Sequence, residues 1–294
     1  MLSEKKLSFA YMPGCSLTST AREYEVSARR IAQALDIELL EIPGWVCCGG
    51  SSAHLTDESL AGLLPIQSLA WAEENNLSVV TPCPACFQRL KLANQAIFQE
   101  QKLKEEAEKI LGRAYKNKIE VWHFLQLFSR EDIQQRLKNK IKKPLEDLKL
   151  ACYYGCLLAR PQSLTALEDA ENPALLENLL ELLGAKVVDW SGKTDCCGAN
   201  HSIGAPLVAE KLTNLILEKI KDAGAELVVV ACQLCQANLD LRQKQIEKKF
   251  EQKYNLPIVY FTQLLGLALG LSADALGLDK HLISPLPALM KKTM

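Results

Sequence analysis

Leu227-Val228-Val229-Val230-Ala231-Cys232-Gln233-Leu234-Cys235 is the stretch that decides the fold. Its unbroken apolar run, rich in β-branched residues, suits a strand buried on both faces of a parallel sheet, because a half-exposed strand would alternate. A CxxC pair follows the strand at once, and the carboxyl ends of strands are where open parallel sheets bind ligands. The pair opens a loop-to-helix turn, where backbone N–H groups and the helix dipole stabilise thiolate charge.

Working outward, the cysteines fall into two matching sets. The first reads Gly14-Cys15, Cys47-Cys48-Gly49 and Cys83-Pro84-Ala85-Cys86; the second reads Gly155-Cys156, Cys196-Cys197-Gly198 and Cys232-Gln233-Leu234-Cys235. Cys48 to Cys83 and Cys197 to Cys232 are both steps of 35 residues, whereas Cys15 to Cys47 is 32 and Cys156 to Cys196 is 40. Identical order with one identical spacing marks a duplication, with a longer insertion in the second copy.

Strands are expected over residues 7–12, 37–42 and 77–81, and again over 148–153, 186–190 and 226–231. Helix-period stretches cover about 18–35, 57–75, 175–183 and 205–223, with Gly184 and Gly224 as C-caps. A last strand and helix are expected over 258–271. The alternation predicts an α/β protein of two pseudo-symmetric domains, with mainly parallel sheets flanked by helices and cysteine clusters at the carboxyl ends of strands. The expected division is 1–145 and 146–294. The first part includes a charged helical connector (98–112 and 131–143, closed by Pro144) that reads as a solvated face and not a docking surface.

The chain has 294 residues, 48% hydrophobic and 23% charged, with a net charge of −1. That balance suits a globular protein with a proper core and gives no electrostatic reason to expect nucleic acid or an anionic membrane as partner. The N-terminus lacks the apolar run and cleavage site of a signal peptide. The apolar stretch 256–271 is interrupted by Pro257, Thr262 and Gln263 and falls short of the ~20 residues needed to span a bilayer. A cytoplasmic chain, at most peripheral to a membrane, is expected. Its 11 cysteines therefore favour metal binding or redox chemistry over disulfides.

The adjacent pairs are the unusual part. Neighbouring side chains diverge, so Cys47 and Cys48 cannot easily share one tetrahedral ion, but both can serve a polynuclear cluster by reaching different irons. Each set offers five cysteines, one more than a mononuclear zinc site or a cubane requires. Gly49-Gly50 and Gly198 are expected to leave room for an inorganic core against the backbone. A zinc-stabilised interaction module is the non-redox alternative.

The pattern resembles the CCG-domain family, and within it the branch formed by the B subunits of heterodisulfide reductases. The motifs that carry the resemblance are Pro13-Gly14-Cys15, Tyr154-Gly155-Cys156-Leu157-Leu158 with Arg160-Pro161, Asp195-Cys196-Cys197-Gly198-Ala199, and the tail Thr262-Gln263-Leu264-Leu265-Gly266 with Leu276-Gly277-Leu278. The resemblance implies a noncubane [4Fe-4S] cluster in each unit. Its ligands would be Cys15, Cys47, Cys48, Cys83 and Cys86 in the first unit, and Cys156, Cys196, Cys197, Cys232 and Cys235 in the second. It implies reduction of a mixed disulfide to two thiols in one-electron steps at the two clusters. The alternative within the family is electron transfer to or from a quinone, as in some succinate dehydrogenases of type E. The chain has no ferredoxin cysteine run and no GxGxxG fingerprint. Electrons would therefore come from partners: a ferredoxin-like iron–sulfur subunit of the C type and a flavoprotein.

Two departures stand out. Gln233 sits where the family usually has Pro, and Cys152 is additional, at the position equivalent to Tyr11. Cys152 reads as a buried strand cysteine. His54 and His201 each follow a doublet closely and are candidates for hydrogen bonding to cluster sulfur or for proton delivery. Trp45, Trp190, Tyr153 and Tyr154 are expected to keep the sites dry.

Overall fold

The computed structural model describes residues 7–50 and 53–290, with the side chains of His54 and Glu58 outside that description. Among the described residues there are two four-stranded sheets. The first comprises β1 (Leu7–Tyr11), β2 (Ile37–Glu41), β3 (Val79–Thr81) and β4 (Val121–His123); the second comprises β5 (Lys149–Tyr153), β6 (Lys186–Val187), β7 (Leu227–Val230) and β8 (Ile258–Tyr260). Their orders, β2-β1-β3-β4 and β6-β5-β7-β8, are the same, and the pairings are parallel. In each sheet the chain runs outward from the first strand and then returns to its other side. The strand order thus reverses between β1 and β3, and between β5 and β7, and such a switch point leaves a crevice at the carboxyl ends of the strands.

Several expected elements are shorter in the structure. The helix expected from residue 18 begins at Arg22, because Thr18 and Ser19 turn their hydroxyls onto the Cys15 carbonyl (3.0 and 2.7 Å) and hold a turn. Its buried residues Tyr24, Ser27, Ala28, Ile31 and Ala32 form one face at helical spacing. The helix expected over 57–75 is three pieces, Ala53–Thr56, Glu58–Leu63 and Ile66–Glu74. Asp57 caps the second by accepting from the Ser59 amide at 2.7 Å, and Pro65, with no N–H to give, precedes the third. The strand expected over 186–190 shrinks to Lys186–Val187, since Trp190 leaves the sheet to donate its indole N–H to the Cys152 carbonyl at 3.0 Å.

Strand β4 has no counterpart among the strands expected from sequence. It is three residues long, but it leads into Phe124-Leu125-Gln126-Leu127, which matches Phe261-Thr262-Gln263-Leu264 after β8. In both copies the Gln side chain accepts from the backbone N–H of the strand's last residue, His123 or Tyr260, at 3.0 Å. The tail motif is thus the second copy of a repeated strand-and-cap element.

The units meet along a seam in a crossed arrangement. Helix Arg22–Ala34 of the first unit packs on helix Phe261–Ala268 of the second, and helix Leu175–Leu182 packs on the turn Phe124–Ser129. The Tyr24 and Tyr260 rings stack with centroids 4.1 Å apart, and the Ser27 and Thr262 hydroxyls lie 2.6 Å apart. On the other side, Gln126 donates to the Thr165 carbonyl (2.7 Å), Gln88 to Arg160 (2.6 Å) and Lys91 to Leu164 (2.8 Å). One continuous hydrophobic core runs through both units.

Candidate metal centres

Each switch-point crevice receives cysteines from three segments. Cys15 and Cys156 follow β1 and β5, the doublets follow β2 and β6, and the CxxC pairs follow β3 and β7. All are free thiols. In each group the second doublet cysteine and both CxxC cysteines are buried, whereas Cys15, Cys47 and Cys196 are exposed and Cys156 is half-buried.

The thiols within each group interact in the same order. Cys48 touches Cys86, which touches Cys83, while Cys47 touches Cys15. In the second unit Cys197 lies 3.7 Å from Cys235, which touches Cys232, and Cys196 touches Cys156. A sulfur separation of 3.7 Å is far beyond a disulfide bond. The two cysteines of each doublet therefore serve opposite ends of the group. Among the described residues no three His, Cys, Asp or Glu side chains close around one point where a single ion would sit.

The local backbone explains the motif glycines. Gly14 and Gly155 have positive φ (+81° and +69°), and a Cβ on either would lie 2.9 Å from Cys86 Sγ or 2.7 Å from Cys235 Sγ. These two glycines, one residue before the single cysteine, clear the space beside the buried thiol. Gly49 and Gly198 do something else, which corrects the expectation from sequence. Their φ values are also positive (+74° and +82°), but an added Cβ would strike Ala53 (2.6 Å) or Ala209 (2.8 Å) of the following helix. They permit a sharp exit from the doublet and pack against that helix, which leaves no space there for an inorganic core; Gly50 comes nearer the thiols, an added Cβ lying 3.4 Å from Cys48 Sγ.

Electrostatics follow from burial and contact. Cys83, the N-cap of helix Pro84–Gln99, accepts from the Cys86 thiol and backbone N–H (3.4 Å), and its pKa falls to about 7. Cys197 likewise falls to about 7, chiefly through the Cys235 thiol, with help from the Ala199 amide, Tyr153 and Asn238. The middle thiols, Cys86 and Cys235, are pushed well up because they donate to both neighbours and are buried. Cys156 is pushed up to about 12 by burial and by Cys196. In the first trio Cys48 and Cys83 therefore ionise before Cys86, and in the second Cys197 ionises before Cys235.

The candidates outside the ligand set divide clearly. Tyr153 sits against Cys197 and the Asp195 carbonyl (2.7 Å), Trp190 packs beside it at 6.0 Å, and Tyr154 lines the small cavity that all five cysteines of the second group share. The Tyr154 hydroxyl itself faces Glu177. Trp45 is half-buried and donates to Glu41 at 3.2 Å. His201 is exposed in the short turn Ala199–His201, and the side chain of His54 lies outside the described residues. Cys152 is fully buried in β5, its pKa raised by burial, with no other cysteine acting on it. Sequence reasoning missed Asn238, which donates to the Cys197 carbonyl at 2.7 Å, and the reach of Gln233 to Cys83 Sγ at 2.9 Å. The signal for Gln233 was its departure from proline; Asn238 gave none.

Two groups of five thiols, each partly buried at helix N-termini and spread over an extended array, fit a thiolate-bound iron–sulfur cluster better than one tetrahedral ion. The comparisons with known proteins agree. Over 278 residues the chain is 36% identical to the membrane anchor protein of the 8-methylmenaquinol:fumarate reductase of Wolinella succinogenes, covering 94% of this chain and 96% of that protein. Over 284 residues it is 31% identical to the B-type component of the ferredoxin/F420H2-dependent CoB–CoM heterodisulfide reductase of Methanosarcina acetivorans, covering 95% and 94%. A hypothetical protein from Helicobacter pylori, 12% identical, superposes with a TM-score of 0.74 over 96% of this chain and 53% of its own, which shows the shared fold. Residues 9–91 and 150–240 each match the cysteine-rich domain CCG, and the chain belongs to that family.

Proposed function

We propose that this iron–sulfur redox protein holds one noncubane [4Fe-4S] cluster in each five-cysteine group, and that the two sites exchange an electron pair, one electron each, with a two-electron substrate. The observation that carries the reading is the divergence of each doublet, with Cys47 and Cys196 turned to the outer cysteine and Cys48 and Cys197 turned to the CxxC pair. When bound, the clusters supply one-electron redox steps. The chain's own residues hold thiolates at helix N-termini, exclude water with Tyr153, Tyr154 and Trp190, and keep the two units in fixed register through the Tyr24–Tyr260 stack.

Of the two substrates the family resemblance allows, a quinone is favoured. The Wolinella succinogenes relative, named for an enzyme of 8-methylmenaquinol, matches along nearly its whole length. Ile203 (97% exposed) and Leu207 (62%) stand in solvent just beyond the second doublet, which suits work at a membrane surface. Among the described residues no helix is long and apolar enough to cross a membrane, so that contact would be peripheral. The disulfide reading is supported by the Methanosarcina acetivorans relative and by the motifs of the reductase B branch. In either case the chain would work with partner subunits, a ferredoxin-like iron–sulfur protein and a flavoprotein, that deliver or accept electrons.

The test is EPR of anaerobically purified, reduced protein after addition of a menaquinone analogue or of a mixed disulfide. Oxidation of the cluster signals by the quinone alone is the expected result. A response to the disulfide alone would reverse the choice of substrate, and a colourless, iron-free, zinc-containing protein would sink both readings.

A further inference from the structure

Gln233 is next to Cys232 in sequence, yet its side chain serves the other unit. Its Nε2 donates to Cys83 Sγ at 2.9 Å. A thiolate only accepts, which fixes the amide with its N–H side toward the sulfur. The residue is 3% exposed, and its Oε1 is buried with no hydrogen-bond partner. A buried amide with half its bonding capacity unmet is less stable than an apolar side chain of the same size, so its presence calls for a role beyond packing. The equivalent position in the first unit is Pro84, which has no donor, and no return bond reaches Cys232 from there. The two CxxC turns face each other across the seam: the Tyr24 hydroxyl, which donates to the Ala231 carbonyl at 3.3 Å, feels the charge of both Cys83 and Cys232.

We propose that Gln233 is a positioning residue that acts across the seam and raises the reduction potential of the first unit's cluster, while affecting the cluster beside which it lies in sequence much less. An N–H bond to a ligand sulfur stabilises the extra negative charge of the reduced state. A higher potential at the first site gives it the larger share whenever a single electron is held between the two. The inference rests on reading both thiol groups as iron–sulfur sites.

The experiment is a potentiometric titration followed by EPR, comparing the unaltered holoprotein with Gln233→Met, of similar length without the N–H, and Gln233→Asn, whose amide is one carbon shorter. The signal of the first site is identified as the one lost in Cys86→Ser. Both variants are expected to lower that site's midpoint potential and to move the second site's less. An unmoved first site, or an equal or larger shift at the second, would overturn the proposal. A second measurement covers variants that fail to hold iron: in unaltered protein labelled with 15N-glutamine, hyperfine spectra of the reduced first site should show nitrogen-15 coupling, and absence of that coupling overturns it too. Failure of the underlying reading looks different, because the unaltered protein would then contain no iron at all.

Discussion

The two units share a sheet order, a switch point, a five-thiol array and a capped fourth strand, but they surround their thiols with different donors. Beside the first doublet the Cys86 thiol lowers Cys48 and the Arg89 guanidinium adds to it; the equivalent position in the second unit is Asn238, tied to the Cys197 carbonyl at 2.7 Å. Met12 of the first unit is replaced by Tyr153, which sits against Cys197. The duplicated part is what builds the site, and the divergent part is what tunes it. The number of thiols is fixed by the repeat, whereas charge and hydrogen bonding around the sulfurs, which would set the potentials of any cluster held there, have separated between the copies.

The strongest way to break this comparison is to remove a thiol from one copy. Cys48→Ser is expected to abolish iron binding in the first unit and leave the second loaded, halving iron per chain, and Cys197→Ser should do the converse. Iron assay with EPR checks both. Retention of full iron in either variant would show that the doublet's buried member is not a ligand.

Much of this was legible before the fold was known, because a repeat of cysteines at strand ends states both the topology and the site. The apolar run 227–231 marked β7, and the equal steps of 35 residues marked the duplication. What stayed hidden depended on contacts distant in sequence. Strand β4 has only three residues and is recognisable through its pairing with β3 and the His123–Gln126 cap. The role of Gly49 and Gly198 could not be separated from that of Gly14 and Gly155 without knowing which neighbour each missing Cβ would meet. Gln233 contacts a residue 150 positions away, and no local pattern encodes that.

The seam offers the next largest effect. Tyr24 is fully buried and stacked on Tyr260, with its hydroxyl on the Ala231 carbonyl. Tyr24→Ala is expected to cost about 3–5 kcal/mol by analogy with other large aromatic truncations, read as a lowered melting temperature of the holoprotein. Since the lost contact is between units, both cluster signals should broaden together. Disturbance of the first site alone would mean that the units do not rely on each other for order.

A pH test compares the units more finely. His123 is fully buried, with Nε2 donating to the Pro82 carbonyl at 2.7 Å and Nδ1 accepting from the Leu125 amide at 3.2 Å, so its neutral form is satisfied. His281 is held between Gln236 and Gln263, both at 2.9 Å. Burial pushes each pKa down to about 4. Between that value and the ordinary one near 6.5 the unfolded chain binds more protons than the folded one, so stability falls as pH drops through this window. From pH 7 to pH 5 the loss should be about 2 kcal/mol for each histidine. His123→Gln should remove the share of the first unit and leave that of His281, as melting temperatures across the range would show. An unchanged slope in the variant would place the acid sensitivity elsewhere.

The smallest effect separates the eleventh cysteine from the ten. Cys152 and Tyr11 hold equivalent places towards the ends of β5 and β1, but Tyr11 reaches to Glu25 (2.5 Å) and stacks under Arg29, while Cys152 is fully buried with no thiol acting on it. A buried thiol without a sulfur neighbour packs as a small hydrophobe, and burial raises its pKa. Cys152→Ala should therefore cost only about 1 kcal/mol, the loss of one buried sulfur, and leave iron content and both EPR signals as they were. Loss of the second unit's iron in this variant would instead draw Cys152 into the site and end the correspondence between the two five-thiol groups.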